Sequence, residues 1–169
     1  SGIRAMRMNL GGFSKWAMPA WFPLEESIVF EPERWLSCPV MLQTGILNPQ
    51  LLSLLARVRH TNALVVADRG FPFWPELETV DLSLVDGVPT VLQVLAAVRS
   101  NFVVAEGYMA EEFLRVNRPA TRRAFARGWE GVKVTYEPHV DFKRRVPGAI
   151  GLIRTGETVQ YANMVLISG

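Results

Sequence analysis

His60-Thr61-Asn62-Ala63-Leu64-Val65-Val66-Ala67-Asp68 sets a five-residue apolar run between a histidine and an aspartate. A run this short, rich in β-branched residues and closed by polar groups, reads as a strand buried on both faces. Such strands belong to parallel sheets covered by helices on each side.

The flanking sequence supplies those helices. Upstream, Asn48-Pro49 pairs a capping side chain with proline at the first helical position. Leu51, Leu52, Leu54, Leu55 and Val58 follow as an apolar stripe, which predicts a helix stopping near Arg59-His60. Downstream, Arg69-Gly70-Phe71-Pro72-Phe73-Trp74-Pro75-Glu76 is a turn-rich loop. Val80–Leu82 is a short strand, Asp86-Gly87 a turn, and Pro89 opens a helix running through Leu92, Val94, Leu95 and Val98. Asn101–Met109 reads as strand, Pro119–Arg127 as helix, Val132–Tyr136 as strand, and Pro138–Arg145 as a short helix with His139 in its first turn. Ala149–Arg154 and Met164–Ser168 are the last two strands, separated by a turn at Thr155-Gly156. Helix and strand alternate through most of this order. The expectation is a three-layer α/β/α fold with a mostly parallel, mixed central sheet. The last two strands, close in sequence, are expected to run as an antiparallel pair.

Residues 1–40 differ in character. Gly11-Gly12, Trp16, Pro19, Trp21, Phe22, Pro23, Pro32, Trp35 and Pro39 make an aromatic, proline-rich arm without a sustained helical or strand period. It is read as an arm packed over the body or onto a neighbouring subunit, with a lid over a binding site as the alternative. Residues 41–169 form the folded body.

With 169 residues, 49% hydrophobic and 20% charged, the chain is most simply one domain with a substantial core. Eighteen basic against sixteen acidic residues leave a charge of +2, too small to argue for a nucleic-acid partner. The arginines Arg115, Arg118, Arg122, Arg123 and Arg127 do not share one narrow helical face, so they read as a solvated or subunit-contacting surface. Cys38 is the one cysteine, so no intramolecular disulfide forms, and no pattern suggests a metal site. No apolar run approaches the roughly 20 residues of a membrane helix, and no signal-peptide layout opens the sequence. The expected compartment is the cytoplasm.

The chemistry-bearing residues are few. Asp68 stands at the C-terminal end of a strand, where open α/β sheets bind ligands; it also suits a loop cap. His60 and His139 are the only histidines. His60 lies near a helix end, where the dipole favours imidazolium; His139 lies near a helix start, which disfavours it. Tyr161 and Asn163 alternate along an incipient strand, so both face one side while Ala162 faces the other. Two hydrogen-bonding groups beside a small residue could hold a polyol or simply begin an edge strand. Phe71, Phe73 and Trp74 suit either a sugar's C–H face or core packing. No glycine-rich nucleotide fingerprint occurs.

In order and spacing, several segments together resemble the D-ribose pyranase and L-fucose mutarotase family: Thr44-Gly45-Ile46-Leu47-Asn48, His60-Thr61, Leu64-Val65-Val66-Ala67-Asp68, Asp86-Gly87-Val88-Pro89, Gln93-Val94-Leu95, Ala110-Glu111-Glu112, Ile153-Arg154-Thr155-Gly156-Glu157 and Tyr161-Ala162-Asn163. The resemblance spans residues 41–169. It implies a cofactor-free isomerase that interconverts ring forms of a free monosaccharide such as D-ribose or L-fucose, without a metal. By resemblance, His60 is the general acid, Asp68 binds sugar, and His139 with Tyr161, Ala162 and Asn163 completes the site. It also implies a homo-oligomer, often a decamer, with the active site at a subunit boundary. Tyr-Ala-Asn, Gly70 and His139 resemble the pyranase branch; Phe71-Pro72 is closer to the fucose branch. Arg59 departs from the family's usual glycine and places a bulky cation beside His60. The alternative function is a non-catalytic monosaccharide-binding or transport-accessory protein on the same fold.

Ring opening suits this set. The ring oxygen gains a proton as its bond to the anomeric carbon breaks, and the anomeric hydroxyl loses one as the carbonyl forms. Histidine exchanges protons near neutral pH, and a positioned acid–base group contributes about 10²–10⁴-fold.

Overall fold

The computed structural model describes residues 45–169. The arm at 1–40 therefore lies outside the described residues. Helix α1 (Pro49–Ala56) starts as its sequence predicts: the Asn48 side chain accepts from the Leu51 N–H at 2.8 Å, and proline opens the first turn. It stops earlier than expected. The Arg57 and Val58 N–H groups bond back to Leu54 and Leu55, and the Asn62 side chain takes the Arg59 N–H, so the chain leaves the helix before His60. His60 is thus an exposed turn residue beyond the helix, and the dipole reading of it loses its basis.

Strand β1 (Ala63–Ala67) lies at the heart of the sheet, followed by β2 (Thr79–Asp81), α2 (Val91–Arg99), β3 (Val104–Ala110), α3 (Glu112–Val116), α4 (Pro119–Gly128), β4 (Lys133–Glu137), α5 (His139–Arg145), β5 (Gly151–Arg154) and β6 (Met164–Ser168). Helix α2 begins at Val91 rather than Pro89, because Thr90 and Gln93 form a reciprocal capping box. The sheet order is β2-β5-β1-β6-β3-β4. β1 pairs parallel with β5, as do β2 with β5 and β3 with β4. Only β6 runs against its neighbours, and those neighbours are β1 and β3. The expected β5–β6 antiparallel pair is therefore corrected: β1 stands between them. The nine residues joining Arg154 to Met164 are long enough to step over β1, and the paired strands then bury the apolar run of β6 inside the sheet.

Alternation along β1 divides the core. Leu64 and Val66 face α1, α2, α3 and α4 through Leu54, Val91, Val94, Leu95, Phe113 and Phe125. Val65 and Ala67 face the other way, toward Phe142 of α5, Val146, and Phe71 and Leu77 from the loop after β1. The layers are thus the three expected, with one helical face much thicker than the other. Gly107 on β3 lies flat under Trp129, whose ring leaves no room for a side chain there.

Candidate active site

Because five strands run the same way, their C-terminal ends share one edge of the sheet, and the loops leaving that edge converge. Asp68 leaves β1 there. Its backbone N–H donates to Asn163 Oδ1 at 2.7 Å, and Asn163 Nδ2 donates to Asp68 Oδ2 at 2.9 Å. Asn163 immediately precedes β6, so this two-bond clamp joins the exit of one central strand to the entry of its antiparallel neighbour. The Gly70 N–H donates to the other carboxylate oxygen at 2.9 Å. Burial pushes the Asp68 carboxyl above its usual range, opposed by the bonds from Asn163 and Gly70 and the charge of Arg154.

The loop after Asp68 is held from below. The Arg154 guanidinium, at the end of β5, donates to the Phe71 carbonyl at 2.6 Å and the Arg69 carbonyl at 3.3 Å. Arg69 in turn pairs with Asp86. The Thr155 hydroxyl donates to the Ala67 carbonyl at 2.8 Å, fixing the last residue of β1. The buried Glu157 carboxylate accepts the Val91, Thr158 and Val159 N–H groups, tying the start of α2 to the same edge.

Asp68, Gly70, Phe71, Pro72, His139, Lys143, Gln160, Tyr161 and Asn163 line an open cleft of about 410 Å³, a size suited to a small polar molecule. His139 is the first residue of α5. Its backbone N–H donates to Glu112 Oε2 at 3.0 Å, and its ring meets Tyr161 edge-on at 5.0 Å. The His139 Nε2 is buried without a hydrogen-bond partner among the described residues. Burial holds its pKa below the ordinary 6.5, reinforced by the Lys143 charge and opposed by Glu112 and Asp68. An uncharged imidazole with an unused nitrogen in a polar cleft is equipped to exchange a proton with a bound molecule.

Tyr161 and Asn163 both reach the cleft while Ala162 is fully buried in the core, so the expected division of sides holds. Its cause is different. Residues 160–161 form a turn rather than a strand, with Tyr161 in the left-handed region at φ 57°. Of the aromatic loop, Phe71 is 5% exposed and packs edge-on to Phe142 while lining the cleft; Phe73 is 73% exposed and does not line it. Trp74 packs against the smaller core cluster.

His60 is the exception. It sits before β1, whereas Asp68 sits after it, so the two stand at opposite ends of the same strand. The Thr61 N–H bonds the Ser168 carbonyl, and the Ser168 hydroxyl donates to the Arg59 carbonyl, anchoring the His60 turn to the C-terminal end of β6. Arg59 directs its guanidinium to the Ala56 and Val58 carbonyls, at 2.7 and 2.8 Å. Within one chain, Asp68, His139, Tyr161 and Asn163 come together and His60 does not join them. Lys143, Gln160 and the Glu157 brace are not among the site residues that the sequence suggests. Lys143 could have been, since it lies one helical turn from His139 on α5. Among the described residues no group of three His, Cys, Asp or Glu side chains gathers to hold a metal, and no helix is long and apolar enough to cross a membrane.

This arrangement has known relatives. The chain is 38% identical over 129 residues to the D-ribose pyranase of Halalkalibacterium halodurans, covering 76% of this chain and 98% of that protein. It is 40% identical to the D-ribose pyranase of Geobacillus thermodenitrificans, covering 76% and 97%. Among solved structures, Bacillus subtilis RbsD complexed with D-ribose superposes with a TM-score of 0.70 at 31% identity, covering 76% of this chain and 98% of that one. The fucose mutarotase of Streptococcus pneumoniae in complex with L-fucose has a TM-score of 0.62 at 23% identity, covering 72% and 92%, and shares the fold. Residues 41–169 match the model of the RbsD / FucU transport protein family, and the chain belongs to that family.

Proposed function

We propose that this protein is an isomerase that interconverts the ring forms of a free monosaccharide, with D-ribose as the first candidate substrate. The observation that carries this reading is the His139 imidazole, held toward its uncharged form with Nε2 unpartnered, in a cleft beside the Asp68–Asn163 clamp and Tyr161. The D-ribose pyranase relatives support the reaction class.

In this reading Asp68 accepts hydrogen bonds from sugar hydroxyls, and Tyr161 and Asn163 complete the polar cradle. His139 accepts the proton that leaves the anomeric hydroxyl as the carbonyl forms. His60 supplies the proton that the ring oxygen takes up as its bond to the anomeric carbon breaks. Because His60 stands at the far end of β1 from Asp68, a site containing both needs a neighbouring copy to present its His60 at the cleft. The reading therefore carries a homo-oligomer, with a ring of ten as its expected form, and the cytoplasm as its compartment. A positioned acid–base group contributes about 10²–10⁴-fold, a useful gain for a reaction that already proceeds slowly in water.

Exchange NMR on equilibrated D-ribose, with L-fucose in parallel, tests the reading. Protein-dependent exchange between pyranose and furanose signals is the expected result, and His60→Ala should remove most of it while the assembly persists. Acceleration with L-fucose alone would keep the chemistry and change the substrate. The separation of His60 from the cleft within a chain favours one second reading, a monosaccharide-binding protein without catalysis. Saturable sugar binding with exchange at the buffer rate would establish that reading and reject the first.

A further inference from the structure

Between Phe113 and Trp129 the chain carries five arginines and no acidic residue. Arg115, in α3, pairs with Glu111 and Glu112 at 3.4 and 3.3 Å. The other four, Arg118, Arg122, Arg123 and Arg127, have no carboxylate within ion-pair distance among the described residues. Nor do they serve α4 itself. Arg118 occupies the N-cap without a side-chain cap bond, and the first turn holds no acidic residue. Cations at that end oppose the helix dipole. Arg118 with Arg122, and Arg123 with Arg127, are like charges four positions apart, which repel on a helix surface. Helix stability alone would call for a capping side chain and a carboxylate at these points.

The spread of these cations around α4, too wide for one narrow face, frames two adjoining grooves. The first, of about 380 Å³, is lined by Leu114, Pro119, Arg122, Arg123, Ala126 and Tyr136. The second, of about 460 Å³, shares Arg123 and Ala126 and adds Arg127 and Glu130. By helical spacing, Pro119 and Ala126 make a shallow floor between Arg122 on one side and Arg123 with Arg127 on the other. Arg122 donates to the Leu114 carbonyl at 3.1 Å and so holds the end of α3 beside α4. Leu114 and Val116 are exposed there, and Tyr136 packs on the main core beneath.

We propose that this surface docks an acidic segment of a partner protein, one that alternates carboxylates with apolar side chains. Guanidinium forks pair bidentately with carboxylates, while the arginine stems and the small floor residues accept the apolar groups between them. A second copy of this chain docked through the same face would set like charge against like. The complementary occupant is therefore acidic, and an arginine cluster is an established means of recognising such a segment. The apolar floor and the overall charge of only +2 favour a peptide over nucleic acid, whose binding draws on a broad basic field. None of these residues lines the cleft of Asp68 and His139, so the inference stands independently of the proposed reaction.

Fluorescence polarisation of a labelled peptide in which glutamates alternate with leucines, titrated with the full-length protein, tests it. Saturable binding that weakens as salt rises is expected, and its absence at low salt would overturn the proposal. Arg123→Glu with Arg127→Glu is expected to weaken binding by about tenfold or more. Arg123→Gln with Arg127→Gln, which removes the charges without reversing them, should give a smaller loss of the same sign. Arg57→Glu with Arg144→Glu makes the same change in net charge elsewhere on the surface and is expected to bind as the wild type does. An equal loss in both Glu variants would reduce the binding to general attraction and reject a site. A peptide with glycine in place of leucine should bind about threefold to tenfold more weakly; equal binding would reject the apolar half of the recognition. Tighter binding of a short DNA duplex, lost in the same Arg123 and Arg127 variants, would assign the surface to nucleic acid and overturn the proposal. A fall in assembly mass by light scattering in those variants would assign it to an interface between copies, with the same consequence.

Discussion

Asp68 and Asn163 hold each other through two hydrogen bonds that span ninety-five positions of sequence. Removing one partner strands the other. Asn163→Ala leaves the Asp68 N–H and one carboxylate oxygen unpaired in a half-buried place, a loss of about 1–3 kcal/mol. Chemical denaturation should read that loss, and sugar binding should weaken in parallel. An unchanged unfolding midpoint would mean that water replaces the amide at no cost. His139 makes a separate statement about pH. Its folded pKa lies below the ordinary 6.5, so the unfolded chain binds the proton more tightly and stability rises with pH across that interval. The contribution is present above about 6.5 and is lost as pH falls through the window below it. His139→Gln should therefore flatten the decline in stability between neutral and mildly acidic pH. A decline as steep as that of the wild-type protein would place the acid sensitivity elsewhere.

At the scale of elements, the fit of helix to sheet depends on small residues at defined points. A Cβ on Gly107 would lie 2.3 Å from the Trp129 ring, which is itself buried and bonded to Met109 Sδ through its N–H at 3.2 Å. The ring cannot retreat, so Gly107→Ala should cost about 1–3 kcal/mol from overpacking. Gly148→Ala is the control: nothing lies within 4 Å of its added Cβ, and a change within about 0.5 kcal/mol is expected. Thermal melts of the two variants separate a packing constraint from a general intolerance of alanine. Helix α3 was not anticipated, and five residues explain why. Glu112–Val116 is too short for an apolar period to emerge, and it has no side-chain cap. Tertiary packing of Phe113 against Phe125, with ring centroids 4.7 Å apart, holds it instead.

At the scale of the whole molecule, one prediction follows from the length of β1. If a neighbouring copy supplies His60 to the cleft containing Asp68, two inactive variants should rescue each other. Co-assembled His60→Ala and Asp68→Asn chains would regenerate intact sites at about a quarter of the interfaces, by random assortment of two kinds of subunit in a symmetric assembly. Ring-exchange activity in the mixed assembly, above that of either variant alone, is the expected outcome. No recovery in assemblies proven to contain both chains would reject a shared site.

Much was decided by sequence alone. The Ala63–Ala67 run could be little other than a buried strand, because its residues are apolar at every position and it ends in charge. Asn48-Pro49 determined where α1 begins, since capping chemistry is local. The alternation of elements determined the three layers. Asp68, His139, Tyr161 and Asn163 are all legible in the sequence, because polar groups at strand and helix ends are conspicuous in an apolar chain. What tertiary structure decided was adjacency. The position of β6 between β1 and β3 depends on which edge buries more apolar surface, a long-range matter that no window of sequence contains. The same holds for His60 and Asp68: eight positions apart in sequence, they are parted by a rigid extended strand. Lys143 and His139 are brought to one cleft with Asn163 because five strands end, and β6 begins, on one side. Local chemistry determined the elements, and burial of their shared surfaces determined which of them meet.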